Sequence, residues 1–165
     1  MTEPTTIDVL NAAFRGLTVS EFRGQTRVVV PPKSIHGVLK MLKEKLGFDL
    51  LVDLTCVDYL DYPGATDRFG LVYLLAKVET NQRLTVRTFV NDPEAAVPSA
   101  TDLWEGANWL EREVWDLFGV RFMGHPDLRR IVLPEQFAAH PLRKDYPLQG
   151  RGERHNFPVI RRAEG

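Results

Sequence analysis

The chain has 165 residues, with 21 basic and 22 acidic side chains interspersed along it and a formal net charge of −1. That length allows one ordinary domain with a real core plus an irregular extension, and the even charge balance excludes a protein that holds nucleic acid in a basic groove. No apolar run approaches the ~18 residues that span a bilayer, the N-terminus lacks the basic-then-apolar order of a signal peptide, and a lone cysteine excludes an internal disulfide or an iron–sulfur cluster held by this chain alone.

In chain order, residues 7–15 read as a short helix and Arg27 to Val30 as a short strand ended by Pro31 and Pro32. Ser34 is placed to cap a helix in which Ile35, Val38, Leu39, Leu42 and Leu46 follow helical spacing, with Gly47 as its stop. Three strands follow: Leu50 to Leu60, Phe69 to Val78 and Arg83 to Val90, the last with Leu84, Val86, Thr88 and Val90 on one face. The turn signal Asp61-Tyr62-Pro63-Gly64 and the short connections favour an antiparallel meander, since parallel neighbours need a crossover. The sum is an α+β domain with helices packed on a mostly antiparallel sheet. Cys56 lies in the first of these strands and reads as a buried, inert thiol.

Thr101 or Asp102 opens the next predicted helix, with Glu105 in capping-box register and Gly119 as its end. At about 100° per residue, Leu103, Trp104, Ala107, Leu110, Val114, Trp115, Leu117 and Phe118 share one arc. Glu111 projects inside that apolar stripe, whereas Glu105, Arg112, Asp116 and Trp109 fall on the polar side. A carboxylate in an apolar face needs a cation or donors, or else reaches water, and a tryptophan among charges marks a contact residue. Glu111 and Glu113 stand roughly 200° apart on the helix, so they cannot act as a paired acid and base.

Beyond Gly119, Val120 to Phe122 reads as extended, Pro134 to Phe137 as a helical turn, and the segment from Gln149 as extended or disordered. The division is therefore an α+β unit at 1–118 and an extended C-terminal segment at 119–165 that docks on a partner. Two His-Pro turns lie in this segment, His125-Pro126-Asp127-Leu128-Arg129 and His140-Pro141-Leu142-Arg143. A metal site built from His125, Asp127, His140 and Asp145, as in a small metal-dependent enzyme, is the alternative reading. The neighbouring Arg129, Arg130, Arg143 and Lys144 outnumber the carboxylates and point instead to hydrogen bonding or docking. Arginine grips carboxylates in two places, and Arg129 or Arg130 is the expected partner of Glu111. Dinucleotide, phosphate-loop and nucleophile-elbow motifs are all missing.

The run Glu111-Arg112-Glu113, two residues, Asp116-Leu117-Phe118, then His125 and Arg129, resembles the signature of the 30 kDa subunit family of respiratory complex I. His140-Pro141-Leu142-Arg143-Lys144-Asp145-Tyr146-Pro147 is similar to that family's second diagnostic segment, and Asp53, Asp58 and Tyr59 match more loosely. The resemblance implies a noncatalytic C-type subunit of proton-translocating NADH:quinone oxidoreductase, lying peripherally at the cytoplasmic face of the membrane. It implies no cofactor on this chain, with NADH, FMN, iron–sulfur clusters and quinone handled by other subunits. Chief among these partners is the 49 kDa-type subunit, which shapes the quinone pocket. Trp109, Glu111, Arg112, Glu113, Asp116, His125, Asp127, Arg129, Arg130, His140, Arg143, Lys144, Asp145 and Tyr146 are the expected signature or contact residues. Many relatives extend further past the second segment, and a short form also resembles the equivalent subunit of ferredoxin-linked or hydrogenase-type complexes.

Overall fold

The computed structural model describes residues 5–153. Helix α1 (Thr6–Ala13) is opened by a reciprocal cap: Thr5 Oγ1 accepts from Asp8 N while Asp8 accepts from Thr5 N. Strands β1 (Thr18–Phe22) and β2 (Gln25–Val29) then form a hairpin about Arg23 and Gly24. Every residue of β1 is exposed, so no hydrophobic alternation marks it, and the sequence reading misses it. Pro32–Ser34 form a 3-10 turn leading into α2 (Ile35–Glu44), whose Ile35, Val38, Leu39 and Leu42 are buried as their spacing predicts. Ser34 belongs to that turn and makes no side-chain cap, contrary to expectation.

Strands β3 (Leu50–Asp58), β4 (Phe69–Ala76) and β5 (Arg83–Val90) form the predicted antiparallel meander. The five-stranded sheet has the order β1-β2-β5-β4-β3, with one parallel pair, β2 on β5, made possible by the crossover through α2. Leu84, Val86, Thr88 and Val90 all point into the core, together with Phe69, Leu71, Tyr73 and Leu75 of β4. Cys56 is buried there too, and burial pushes its thiol up to about 12.

The next helix, α3 (Ala107–Phe118), begins six residues later than a start at Thr101 requires. The intervening residues are tied elsewhere: Asp102 bonds His36 Nε2 at 3.0 Å, and Trp104 Nε1 donates to the Asp49 carbonyl at 3.1 Å. Leu103 and Trp104 are buried as tight-turn residues rather than as part of a helical stripe. Strand β6 (Ala96–Pro98) pairs in parallel with β7 (Arg121–Met123), which continues the chain beyond Gly119. The first piece of the C-terminal segment is thus stitched to the α+β body, and Pro134 to Phe137 make one hydrogen-bonded turn. The expectation of an extended tail falls mostly on residues 154–165, outside the described residues.

Candidate functional site

Helix α3 lies between the sheet and the segment that follows it. Ala107, Val114 and Phe118 are buried in the core, and Glu111 is buried with them, 0% exposed. Its Oε1 accepts from Ala100 N at 2.6 Å and its Oε2 from Ser99 Oγ at 2.7 Å. The expected arginine is not there, which corrects the sequence reading: Arg129 is exposed and pairs with Asp127 at 2.9 Å, and Arg130 serves another carboxylate. Loss of hydration raises the Glu111 carboxyl to about 7, against the opposing pull of the two hydrogen bonds.

The polar side of α3 is not solvated either. Asp116 is 0% and Arg112 8% exposed, because the chain after Gly119 folds back over them. Asp116 Oδ2 accepts from the amides of Ile131 (3.0 Å), Val132 (2.8 Å) and Leu133 (2.9 Å), and its Oδ1 accepts from Arg130 Nη1 at 2.5 Å. Burial favours the neutral form of Asp116, but these donors outweigh it and hold the carboxyl below its ordinary value. Arg112 donates to the carbonyls of Arg129 and Arg130 and stacks 5.0 Å from the Trp109 ring. A helical wheel assigns such residues to water because it cannot see a later segment covering them.

His125 and His140 each act as a clasp. His125 Nε2 donates to the Asn108 carbonyl at 3.2 Å while its Nδ1 accepts from Asp127 N. His140 Nδ1 donates to the Asp116 carbonyl at 2.9 Å, and its ring presses on Gly119, where a Cβ would come within 2.7 Å. Burial lowers the pKa of His140. The two carbonyls are eight residues apart on one helix, about 12 Å along its axis, so the histidines grip different turns and do not converge on one ion. Among the described residues no group of three or more His, Cys, Asp or Glu is placed to hold a metal.

A second anchor fixes the His140 to Tyr146 segment on the end of the sheet. Arg68 bridges Asp58 (3.2 Å), Asp92 (2.9 Å) and Asp145 (2.9 Å), while Arg143 also reaches Asp92 at 2.6 Å. Lys144 contributes its backbone amide to Asp58 rather than its ammonium, and the Tyr146 ring lies 5.9 Å from that of Phe137. Arg68 and Asp92 escape the sequence reading because nothing in their spacing connects them to residues some 50 to 80 positions away. Left facing outward are Trp109 (60% exposed), Val132 (57%), Met123 (58%) and Leu142 (52%), with Glu113 and Lys144 among them. Large apolar side chains left exposed around α3 and the segment after it are candidates for contact with a partner.

Residues 28–152 match the profile of the family described as "Respiratory-chain NADH dehydrogenase, 30 Kd subunit". The chain is 49% identical to the C subunit of NADH-quinone oxidoreductase from Trichlorobacter lovleyi, over 82% of its own length and 83% of that protein's. It is 44% identical to the corresponding C subunit from Burkholderia mallei, over 90% of this chain and 78% of the relative. Among solved structures it resembles a trypsin-resistant fragment of Nqo5, with TM-score 0.68 and 35% identity over 75% of this chain and all of that one. It also resembles a chain of the membrane-bound sulfane sulfur reductase, an archaeal respiratory membrane complex, with TM-score 0.74 and 27% identity over 96% of this chain and 93% of the other.

Proposed function

The chain belongs to the respiratory-chain NADH dehydrogenase 30 kDa subunit family, and we propose that it is the noncatalytic C-type subunit of a proton-translocating NADH:quinone oxidoreductase. Activity resides in the assembled enzyme, which passes electrons from NADH through FMN and iron–sulfur clusters in other subunits to quinone. This chain carries no redox group and acts by positioning its neighbours. The single observation that carries the reading is 42–49% identity to C subunits of NADH-quinone oxidoreductase over most of both chains. No helix among the described residues is long and apolar enough to cross a membrane, in keeping with a peripheral place at the cytoplasmic face.

We assign the outward face of α3 and the 119–165 segment to docking on the 49 kDa-type subunit near the quinone site. Trp109 is its centre: a large aromatic, 60% exposed, with the Arg112 guanidinium 5.0 Å from its ring. Co-expression of this chain with the 49 kDa-type subunit should yield a stable pair, and Trp109→Ala should weaken it without lowering the melting temperature of the free chain. Failure of the wild-type pair to form in both co-expression and pull-down counts against the assignment. The likeness to a chain of the sulfane sulfur reductase, another respiratory membrane complex, favours a second reading, the equivalent subunit of a relative such as a ferredoxin-linked or hydrogenase-type complex. The subunits that co-purify with the tagged chain from membranes, NADH-binding or not, separate the two.

A further inference from the structure

Among the described residues α1, α2 and α3 all bury side chains in the one core against the sheet, and no element covers the sheet's other side. On that open side β5 presents Arg83, Thr85, Arg87 and Phe89, opposite its buried positions, and β2 adds Arg27 beside them. None of these three arginines has an ion pair among the described residues, although Arg68, Arg129, Arg130 and Arg143 all do. Neither nearby carboxylate pairs with an arginine among the described residues: Asp67, at the rim of the same cavity, accepts from Asn91 and Thr66, and Asp53 lies out on the edge strand β3.

Arg87 sits at a built site. A cavity of about 410 Å³ is lined by Tyr59, Tyr62, Asp67, Arg87 and Phe89 with the turn that joins β3 to β4. Tyr59 and Phe89 meet over Gly70, where a Cβ would stand 2.9 Å from one ring and 3.0 Å from the other, so glycine makes the close approach possible. The turn is braced from beneath by Tyr59 N donating to the Arg68 carbonyl and by Asn91, which bonds both Arg68 N and Asp67. Inside this frame the half-buried Arg87 guanidinium donates to the Tyr59 hydroxyl at 2.5 Å and lies 5.0 Å from the Phe89 ring. Its Nε is buried without an acceptor. A partly desolvated cation whose hydrogen bonding rests on one neutral oxygen lacks its natural complement, a planar carboxylate.

We propose that the cup formed by Arg87, Tyr59, Tyr62 and Phe89 receives an acidic side chain or C-terminal carboxylate from another subunit of the complex. The inference rests on the chain being part of such a complex, and it adds a second contact face across the sheet from α3. Charge complementarity selects the occupant: three arginines without carboxylate partners, set among Val29, Val57, Val72 and Phe89, fit an acidic, partly apolar segment.

The test uses the assembled complex, purified from membranes through the tagged chain. Arg87→Gln should speed dissociation of the chain in raised salt by about tenfold or more, the loss expected for one member of a buried charged contact, and should leave the melting temperature of the free chain unchanged. Arg87→Lys places a primary amine in the cup, so zero-length carbodiimide coupling should join position 87 to an Asp, Glu or C-terminus of another subunit, identified by mass spectrometry. Wild-type dissociation kinetics for Arg87→Gln, or coupling of position 87 only to Asp67 of the same chain, overturns the proposal. If the wild-type chain co-purifies with a different set of subunits, the identity of the enzyme changes while the cross-link still decides the cup. A wild-type chain that co-purifies with no other subunit overturns both.

Discussion

Replacing Glu111 by glutamine should stabilise the protein at neutral pH and above, and the gain should vanish on mild acidification. In the folded chain Glu111 keeps its proton to about pH 7, whereas an unfolded glutamate loses it near 4.5. Between those values the folded state holds more protons than the unfolded one, so the group's contribution falls as pH rises through that window and is flat above it. A displacement of that size corresponds to about 3 kcal/mol at roughly 1.4 kcal/mol per pH unit. Glutamine can keep both contacts: its carbonyl accepts from Ala100 N, and its amide donates to Ser99 Oγ. The assay is thermal unfolding of wild type and Glu111→Gln from pH 5 to 8, read as the difference between the two. His140, whose lowered pKa makes stability rise with pH toward its unfolded value, cancels in that difference. The variant's advantage should grow toward pH 8 to about 6–12 °C for a chain of this size. A difference that stays constant across the range refutes the reasoning, and a variant less stable at every pH shows an anion required at this position.

Asp116→Asn should cost about 3–5 kcal/mol in urea unfolding at pH 7, since Arg130 loses its buried counter-charge. Because the Asp116 pKa is lowered on folding, the wild-type contribution is complete above the unfolded carboxylate range and is lost as pH falls through the folded value, so the two proteins should converge in acid. Gly119→Ala should destabilise by more than the ~1 kcal/mol of an ordinary helix-end substitution, because φ is +79° and the new methyl meets the His140 ring. Amide exchange should then accelerate in residues 137–146 before it does in β4. Arg68→Ala should strand the buried Asp58 and free the Asp145 contact, making the chain near Tyr146 a preferred site of limited proteolysis. Unchanged cleavage there would show that Arg143 and Lys144 hold the segment without Arg68.

Elements with one buried and one wet face are legible from sequence alone. The helix around Val38 and the strand around Val86 show clean periodicity; the strand has the expected bounds, while the helix ends at Glu44, short of Leu46 and the Gly47 stop. Strand β1 shows none because both of its faces are exposed, and the parallel join of β2 to β5 depends on a crossover that local patterning cannot register. At the candidate site, the inward placement of Glu111 and the outward placement of Trp109 follow from helical spacing and hold. The identity of Glu111's partners does not follow, since Ser99 directly follows β6, its amide on the Met123 carbonyl of β7, and Ala100 opens the turn after it, where the sequence reads only a linker into a helix. Helical spacing sends Arg112 and Asp116 to water because a wheel gives a helix only two environments. This helix has a third, its own returning chain.

That third environment changes what the recognisable sequence run is for. Of its charged residues, Glu111 secures the turn before α3, while Arg112, Asp116 and Arg130 capture the backbone of the segment after it. His125 and His140 pin that segment to two separate turns of the helix. These bonds are satisfied within the chain, so they fix the shape of the proposed docking face but have little left to offer a partner. In the proposed docking, recognition falls to side chains that this latch of Arg112, Asp116, Arg130, His125 and His140 leaves uncovered, Trp109, Met123, Val132 and Leu142. Two classes of variant follow from this division. Substitutions of the latch residues Arg112, Asp116, Arg130, His125 and His140 should lower the stability of the free chain and carry assembly down with it, whereas substitutions of the outward apolar residues should weaken assembly alone. A latch variant that folds with full stability and yet fails to assemble would place the latch residues in the interface itself and remove the distinction.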